Sequence, residues 1–228
     1  MIYITGDTHI PIDISKLNTT NFPEQRNMTK EDYVIVLGDF GLIWKNKPDN
    51  EELYWTKWLD EKPFTTLFLD GNHENHDRLN SYPVIDMFGG KVHQISNSIF
   101  HLMRNNIFTI CGKTFYVIGG AKSTDKAYRK EGISWWSSEL PTYKDCLGIS
   151  DFIQENGNNI DYVLSHCFPS FYQRILAEWF ERDILTDVLD YVDDSTPNKI
   201  AWYCGHYHID KEVDNKHIVV YEKIIRIE

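Results

Sequence analysis

Five apolar runs along this chain each end on a short polar cluster of glycine, acid, amide and imidazole residues. Ile2-Tyr3-Ile4-Thr5 leads into Gly6-Asp7-Thr8-His9, and Tyr33-Val34-Ile35-Val36-Leu37 into Gly38-Asp39. Thr65-Thr66-Leu67-Phe68-Leu69 comes just before Gly71-Asn72-His73-Glu74. Tyr162-Val163-Leu164 runs into Ser165-His166, and Ile200-Ala201-Trp202-Tyr203-Cys204 into Gly205-His206-Tyr207-His208. Short β-branched and aromatic runs of this kind predict buried strands. Strand exits are where α/β sheets assemble their active sites. A fold that gathers these exits turns a scatter of Asp, Asn and His into one site.

The rest of the chain predicts the frame around those strands. Pro11 to Met28 is polar and irregular, which suits a short helix and a surface loop. Asn50 to Leu59 reads as an amphipathic helix burying Leu53, Trp55, Trp58 and Leu59. A short helix is expected from Glu74 to Leu79. Four short runs, Val92–Ile95, Ile99–Met103, Ile107–Ile110 and Thr114–Ile118, alternate with turn formers at Asn97, Asn105-Asn106 and Gly112-Lys113. They predict a local antiparallel meander. Tyr143 to Glu155 reads as a helix stopped by Asn156-Gly157. Helical spacing resumes between Phe171 and Val192, and Lys211 to Ile227 predicts a final hairpin around Asp214-Asn215. Strand–helix alternation on both sides of a meander implies two packed sheets with helices outside, an α/β sandwich. At 228 residues and 42% hydrophobic, the chain suits one core, so residues 1–228 are expected to form a single domain.

Charge narrows the partners. The net charge is −11 and the sequence pI about 5.2, so most of the surface repels phosphate backbones and anionic membranes. A small phosphorylated substrate is compatible, because bound divalent cations make a local positive field inside an acidic molecule. Met1 runs straight into the first strand, leaving no room for a cleavable leader, and no apolar stretch reaches a membrane span. Cys111, Cys146, Cys167 and Cys204 include no CxxC pair, and Cys167 and Cys204, beside ligand-bearing segments, read as small buried core residues rather than thiolate ligands. A cytoplasmic location is expected.

The clusters hold a donor set for two metal ions. Asp7 and His9 lie two apart and share one side of an extended backbone, so both can reach one ion. His206 and His208 have the same spacing, and with two ions about 3.5–4 Å apart each can serve a different one. Asp39 has two carboxylate oxygens and can bridge. Asn72 offers a neutral oxygen, and His166 completes the second ion. This imidazole–oxygen mixture suits Mn, Fe, Zn or Ni better than Ca or Mg. A water bridging two such ions is acidified to hydroxide near neutral pH, a nucleophile for phosphorus. His73 follows Asn72 directly and is placed as the general acid for the departing oxygen.

These residues resemble the calcineurin-like metallophosphoesterase superfamily, whose motifs DxH, GDxxD, GNH[DE], a lone His and GHxH occur in that order. Here they are Asp7-Thr8-His9, Gly38-Asp39, Gly71-Asn72-His73-Glu74, His166 and Gly205-His206-Tyr207-His208. The resemblance implies a four-layer α/β/β/α sandwich. It implies one ion on Asp7, His9, Asp39 and His208, and a second on Asp39, Asn72, His166 and His206, with manganese the first expectation. It implies a phosphatase or phosphodiesterase using a metal-bridging hydroxide. The second Asp of GDxxD falls on Leu42 with no Arg after it, which counts against a phosphoprotein phosphatase. Ile10-Pro11 stands where a Gly often follows DxH. The run from Gly38 to Trp44, with Gly71 to Asn75, is similar to a bacterial and phage subgroup.

Substrate contacts are expected from Arg78, Lys126, Arg129 and Trp135. Gly119-Gly120-Ala121 and the cations after it can meet a phosphate, and Trp135 or Trp136 can stack on a base. His76 reads as a surface-helix residue. The alternatives are a catalytically silent interaction scaffold, a regulatory metal sensor, or a nuclease with strongly asymmetric charge. Oligomeric state is left open by the sequence.

Overall fold

The computed structural model describes residues 1–177 and 180–227. Strands β1 (Ile2–Thr5), β2 (Tyr33–Leu37) and β3 (Thr65–Leu69) pair in parallel and begin a seven-stranded sheet. β4 (Val84–Met87), β5 (Gly90–Gln94) and β6 (Ile99–Leu102) extend it beyond β3. β7 (Asn106–Ile110) and β8 (Lys113–Ile118) open a six-stranded sheet. It continues through β9 (Tyr162–Ser165), β10 (Ala201–Cys204), β12 (His217–Val219) and β11 (Lys211–Glu212). β13 (Ile224–Ile227) returns to pair antiparallel with β1.

Side-chain alternation sorts the strands into layers. Ile35 and Leu37 of β2 face the second sheet and pack with Leu67, Leu69, Phe115, Val117 and Leu164. Val34 and Val36 point the other way, onto Phe40, Leu59, Phe64 and Phe68. Both faces of β2 are covered, which is why its run is apolar throughout rather than alternating. On the far side of the second sheet, α3 (Tyr143–Asn156) and α5 (Ile184–Ser195) contribute Ile149, Ile153, Leu189 and Val192 against Val163 and Trp202. The expected two-sheet sandwich with outer helices is therefore the fold.

Several local expectations shift. The four-strand meander is divided: β5 and β6 stay in the first sheet, while β7 and β8 belong to the second. The chain crosses at Met103–Asn105, where Asn105 takes a left-handed backbone (φ 56°). β7 and β8 are joined by Cys111–Gly112, and β4 and β5 by Phe88–Gly89, each turn having both residues at positive φ. That geometry matches the right-handed twist of a hairpin. The Phe88-Gly89-Gly90 run was the available signal for β4, which pattern reading missed.

Helix α1 (Asn50–Asp60) buries Glu52 and Leu59, while Leu53 is 59% exposed. Glu52 takes the inward position because Arg78 neutralises it there. The helix expected from Glu74 shortens to α2 (His76–Leu79), capped by the Asn75 side chain. Pro11–Met28 holds two 3-10 turns, Ile14–Leu17 and Pro23–Asn27. The long helical stretch after Phe171 is two helices, α4 (Ser170–Leu176) and α5. The terminal hairpin is confined to β11 and β12 around Asp214, and β13 crosses to the other sheet. Among the described residues no helix is long and apolar enough to cross a membrane.

Candidate metal centre

The parallel strands β1, β2 and β3 and the parallel strands β9 and β10 deliver all five clusters to one edge of the sandwich. Four non-glycine cluster residues follow their strands with a left-handed backbone: His9 (φ 35°), Asp39 (φ 44°), His206 (φ 69°) and His208 (φ 51°). Such conformations cost about 1–3 kcal/mol each outside glycine and persist where surrounding structure holds them. The chain turns back here to aim side chains rather than to save energy. Two glycines permit the close approach. A Cβ on Gly71 would lie 2.1 Å from Asp39 Oδ1, and one on Gly38 would lie 2.2 Å from His166 Nδ1.

Asp39 lies at the middle. Its Oδ1 is 3.3 Å from His166 Nε2, and its Oδ2 is 3.4 Å from His9 Nε2 and 3.9 Å from His73 Nε2. Asp7 Oδ2 is 3.1 Å from His208 Nε2. The His166 and His206 rings are 4.9 Å apart, as are those of His9 and His208. Among the described residues three compact donor groups result: Asp7, His9 and His208; His9, Asp39 and His73; and Asp39, His166 and His206.

Neighbouring groups fix the orientation of these donors. His166 Nδ1 donates to the Leu37 carbonyl at 2.8 Å, which turns Nε2 inward. His9 Nδ1 meets Asp13 Oδ2 at 2.8 Å, with the same effect. Asn72 Nδ2 donates to Ser123 Oγ at 3.3 Å, leaving its carbonyl oxygen free. Second partners of this kind fix the tautomer of metal-binding imidazoles.

The donors are built for something that the protein atoms do not supply. Asn72 Oδ1 is buried and has no hydrogen-bond partner among the described residues; His166 Nε2, also buried, makes no well-formed hydrogen bond there and lies in ion-pair contact with Asp39 Oδ1 at 3.3 Å. An orphaned buried acceptor costs about 1–3 kcal/mol, so a cation is the natural complement. Carboxylate, amide oxygen and imidazole together match the donor preferences of divalent transition metals.

Electrostatics point the same way. Burial works against charge on Asp39, yet His166 and His9 hold its carboxyl well below the ordinary carboxylate value. Burial also opposes charge on His9 and His166, but the carboxylates prevail, Asp39 foremost. They raise His9 to about 9 and His166 to about 10. Loss of solvation and the neighbouring His166 push the half-buried His206 down to about 4. Without a metal the protons on these imidazoles serve as counter-charge.

His73 sits beside the cluster rather than at its centre. Its backbone N–H donates to Asp39 Oδ1 at 2.7 Å. Its ring lies near-parallel to Trp44, centroids 5.8 Å apart. Arg129 lies against the ring, its Nη atoms 3.4–3.5 Å from the imidazole nitrogens. Burial lowers the pKa of His73; Asp39 opposes that shift and Arg129 adds to it.

The expected substrate residues separate. Arg129 reaches the cluster through His73 and pairs with Asp125 at 2.7 Å. Lys126 is exposed and sits over the half-buried Trp135, 5.9 Å from its ring centre. Trp136 is buried and donates to Asp77 at 3.2 Å. Arg78 is committed elsewhere: both Nη atoms bond Glu52, and one also reaches the Lys45 carbonyl. No contact among the described residues brings Arg78 to the cluster. His76 is buried at 4% exposure, not a surface residue, because it packs beside Asp70.

Other residues of this site were not assigned roles by sequence reading. Glu74 accepts the N–H groups of Phe40, Gly41 and Gly71, tying two ligand loops together. Burial, with Asp39 close by, pushes its carboxyl up to about 8. Buried Lys16 donates to the Asp7 carbonyl at 2.7 Å. Asp13 was legible as a polar residue four after His9; Lys16 carried no such signal.

A sequence model of the calcineurin-like phosphoesterase family matches residues 1–210. Among solved structures, a Staphylococcus aureus protein provisionally described as a 5'-nucleotidase, crystallised with alpha-ketoglutarate, aligns with a TM-score of 0.47 and 16% identity. The alignment covers 96% of this chain and 48% of that one, so the chain spans about half the length of the structure it matches. No curated protein matches the chain.

Proposed function

The chain belongs to the calcineurin-like phosphoesterase family, and from that premise we propose that it is a dinuclear metal-dependent phosphoester hydrolase acting on a small phosphorylated substrate. The reading takes residues 1–228 as one catalytic unit. Asp7, His9, Asp39 and His208 would hold one divalent ion, and Asp39, Asn72, His166 and His206 the other, with manganese the favoured metal. Such ions supply a nucleophile from water near neutral pH and offset charge at the phosphoryl oxygens.

The protein's own groups do the rest. Asp39 presents one oxygen to each donor group. His73 faces the Asp39 Oδ2 side and can give its proton to a leaving alkoxide. Arg129, on the outer side of His73, can meet a substrate phosphate. The acidic surface favours a small substrate over a polyanionic one.

The observation that carries this reading is the buried Asn72 Oδ1, which has no hydrogen-bond partner among the described residues, beside the Asp39, His166 and His206 donor group. The test is a parallel assay of an aryl phosphomonoester, an aryl phosphodiester and a nucleotide panel with Mn, Ni, Zn and Mg. Turnover with at least one metal, abolished by chelation, is the expected result. No turnover of any substrate with any of these metals would instead favour a scaffold or sensor.

A further inference from the structure

Asp70, the residue before Gly71, lines a second cleft of about 800 Å³, to which neither His73 nor any of the donors Asp7, His9, Asp39, Asn72, His166, His206 and His208 contributes. That volume lies within the range of small-molecule sites, about 300–1,000 Å³. Part of its lining is fully satisfied. His93 and His101 stack at 5.2 Å and share a 2.9 Å contact between their Nδ1 atoms, and His101 Nε2 lies 3.1 Å from Asp70 Oδ1. Asp70 also takes two bonds from Arg104. Asp145, the other carboxylate in the lining, is occupied by the N–H and hydroxyl of Thr142.

What remains is cationic or donor-capable. His76 Nε2 is buried with no hydrogen-bond partner among the described residues. Arg104 uses Nε and Nη2 on Asp70 and on the Glu139 carbonyl, and its Nη1 makes no hydrogen bond among the described residues. Lys144, in the first turn of α3, makes no ion pair among them. The positive end of that helix borders the same space. Leu79, Met103, Leu140 and Ile149 supply an apolar wall.

We propose that this cleft is a second binding site, for a small organic anion whose phosphate- or carboxylate-type head meets Arg104, Lys144 and His76 and whose apolar body lies along Leu79, Met103 and Ile149. An isolated guanidinium donor, a free ammonium and, in its Nε2–H tautomer, an unsatisfied imidazole nitrogen lining one apolar-walled space are the complement of such a ligand. The site does not depend on the reaction assigned to the metal centre.

Gly148 offers a clean block. It lies on α3, lines the cleft, and has open space where a side chain would project. The experiment is isothermal titration of the full, metal-loaded chain with phenylphosphonate, comparing wild type, Gly148→Ala, Gly148→Phe and Lys144→Glu. Circular dichroism checks that each variant is folded. Wild type and Gly148→Ala are expected to share a binding component that Gly148→Phe and Lys144→Glu each weaken by about tenfold or more. Lys144→Glu lies on an exposed turn, so it keeps the test decisive even where Phe strains the helix. Identical isotherms in all four proteins, or no binding in wild type beyond that of the metal centre, would overturn the proposal.

Discussion

His73 and Arg129 are the residues whose geometry most directly shapes the proposed chemistry. His73→Ala should lower turnover of an ester with a poor leaving group by about 10²–10⁴, with metal content unchanged. Full activity on that substrate would remove His73 from the acid role. Arg129 adds a positive charge against the ring and so opposes protonation of His73. Removing that charge raises the pKa of His73. The alkaline limb of the rate profile should therefore move to higher pH in Arg129→Gln, because the acid keeps its proton longer. A limb that stays in place would show that His73 is not the group titrating there. The sequence placed His73 beside a donor motif, but it could not show Trp44 and Arg129 closing around it, because those contacts join residues 29 and 56 positions away.

At the level of elements, the sandwich was legible wherever a strand is buried on both faces. Tyr33–Leu37 and Thr65–Leu69 have no polar alternation to mislead, and turn chemistry marks their ends. The meander was legible as strands but not as a division between sheets. Local pairing rules are the same whether β6 and β7 lie in one sheet or two, and only packing distinguishes them. Helix α1 was misread at Leu53 because hydrophobicity alone ranks it above Glu52. The Arg78 pair, contributed by α2, reverses that order. The same pair predicts a structural effect for Arg78. Arg78→Ala leaves the buried Glu52 carboxylate unpaired and should cost about 3 kcal/mol of stability. Chemical denaturation would measure that loss, with kcat/KM of the folded fraction unchanged. A kcat/KM loss at unchanged stability would return Arg78 to the substrate.

Taken whole, the molecule holds opposite charges in one buried place, and pH acts on them. His9 and His166 are raised above 6.5, to about 9 and about 10, by the carboxylates beside them. A raised imidazole contributes stability that is complete below its unfolded value and is lost as pH climbs through its folded value. Metal-free protein should thus become less stable from about pH 6.5 to 10, as Asp7 and Asp39 lose their counter-charge. Divalent ions need the same imidazoles deprotonated, so they bind more tightly as pH rises. The gap in Tm between metal-loaded and metal-free protein should widen across that interval, and thermal melts with and without chelator would measure it. A gap that narrows would contradict the charge assignment.

The central claim is that Asp39 bridges two ions held by residues from five separate strand exits. Its most direct test is metal stoichiometry by elemental analysis, paired with electron paramagnetic resonance of the manganese-loaded protein, in wild type and in Asp39→Asn. The account predicts two ions per wild-type chain with an exchange-coupled spectrum, and weakened binding at both positions in the variant. A fully active wild-type chain carrying one magnetically isolated ion would contradict it.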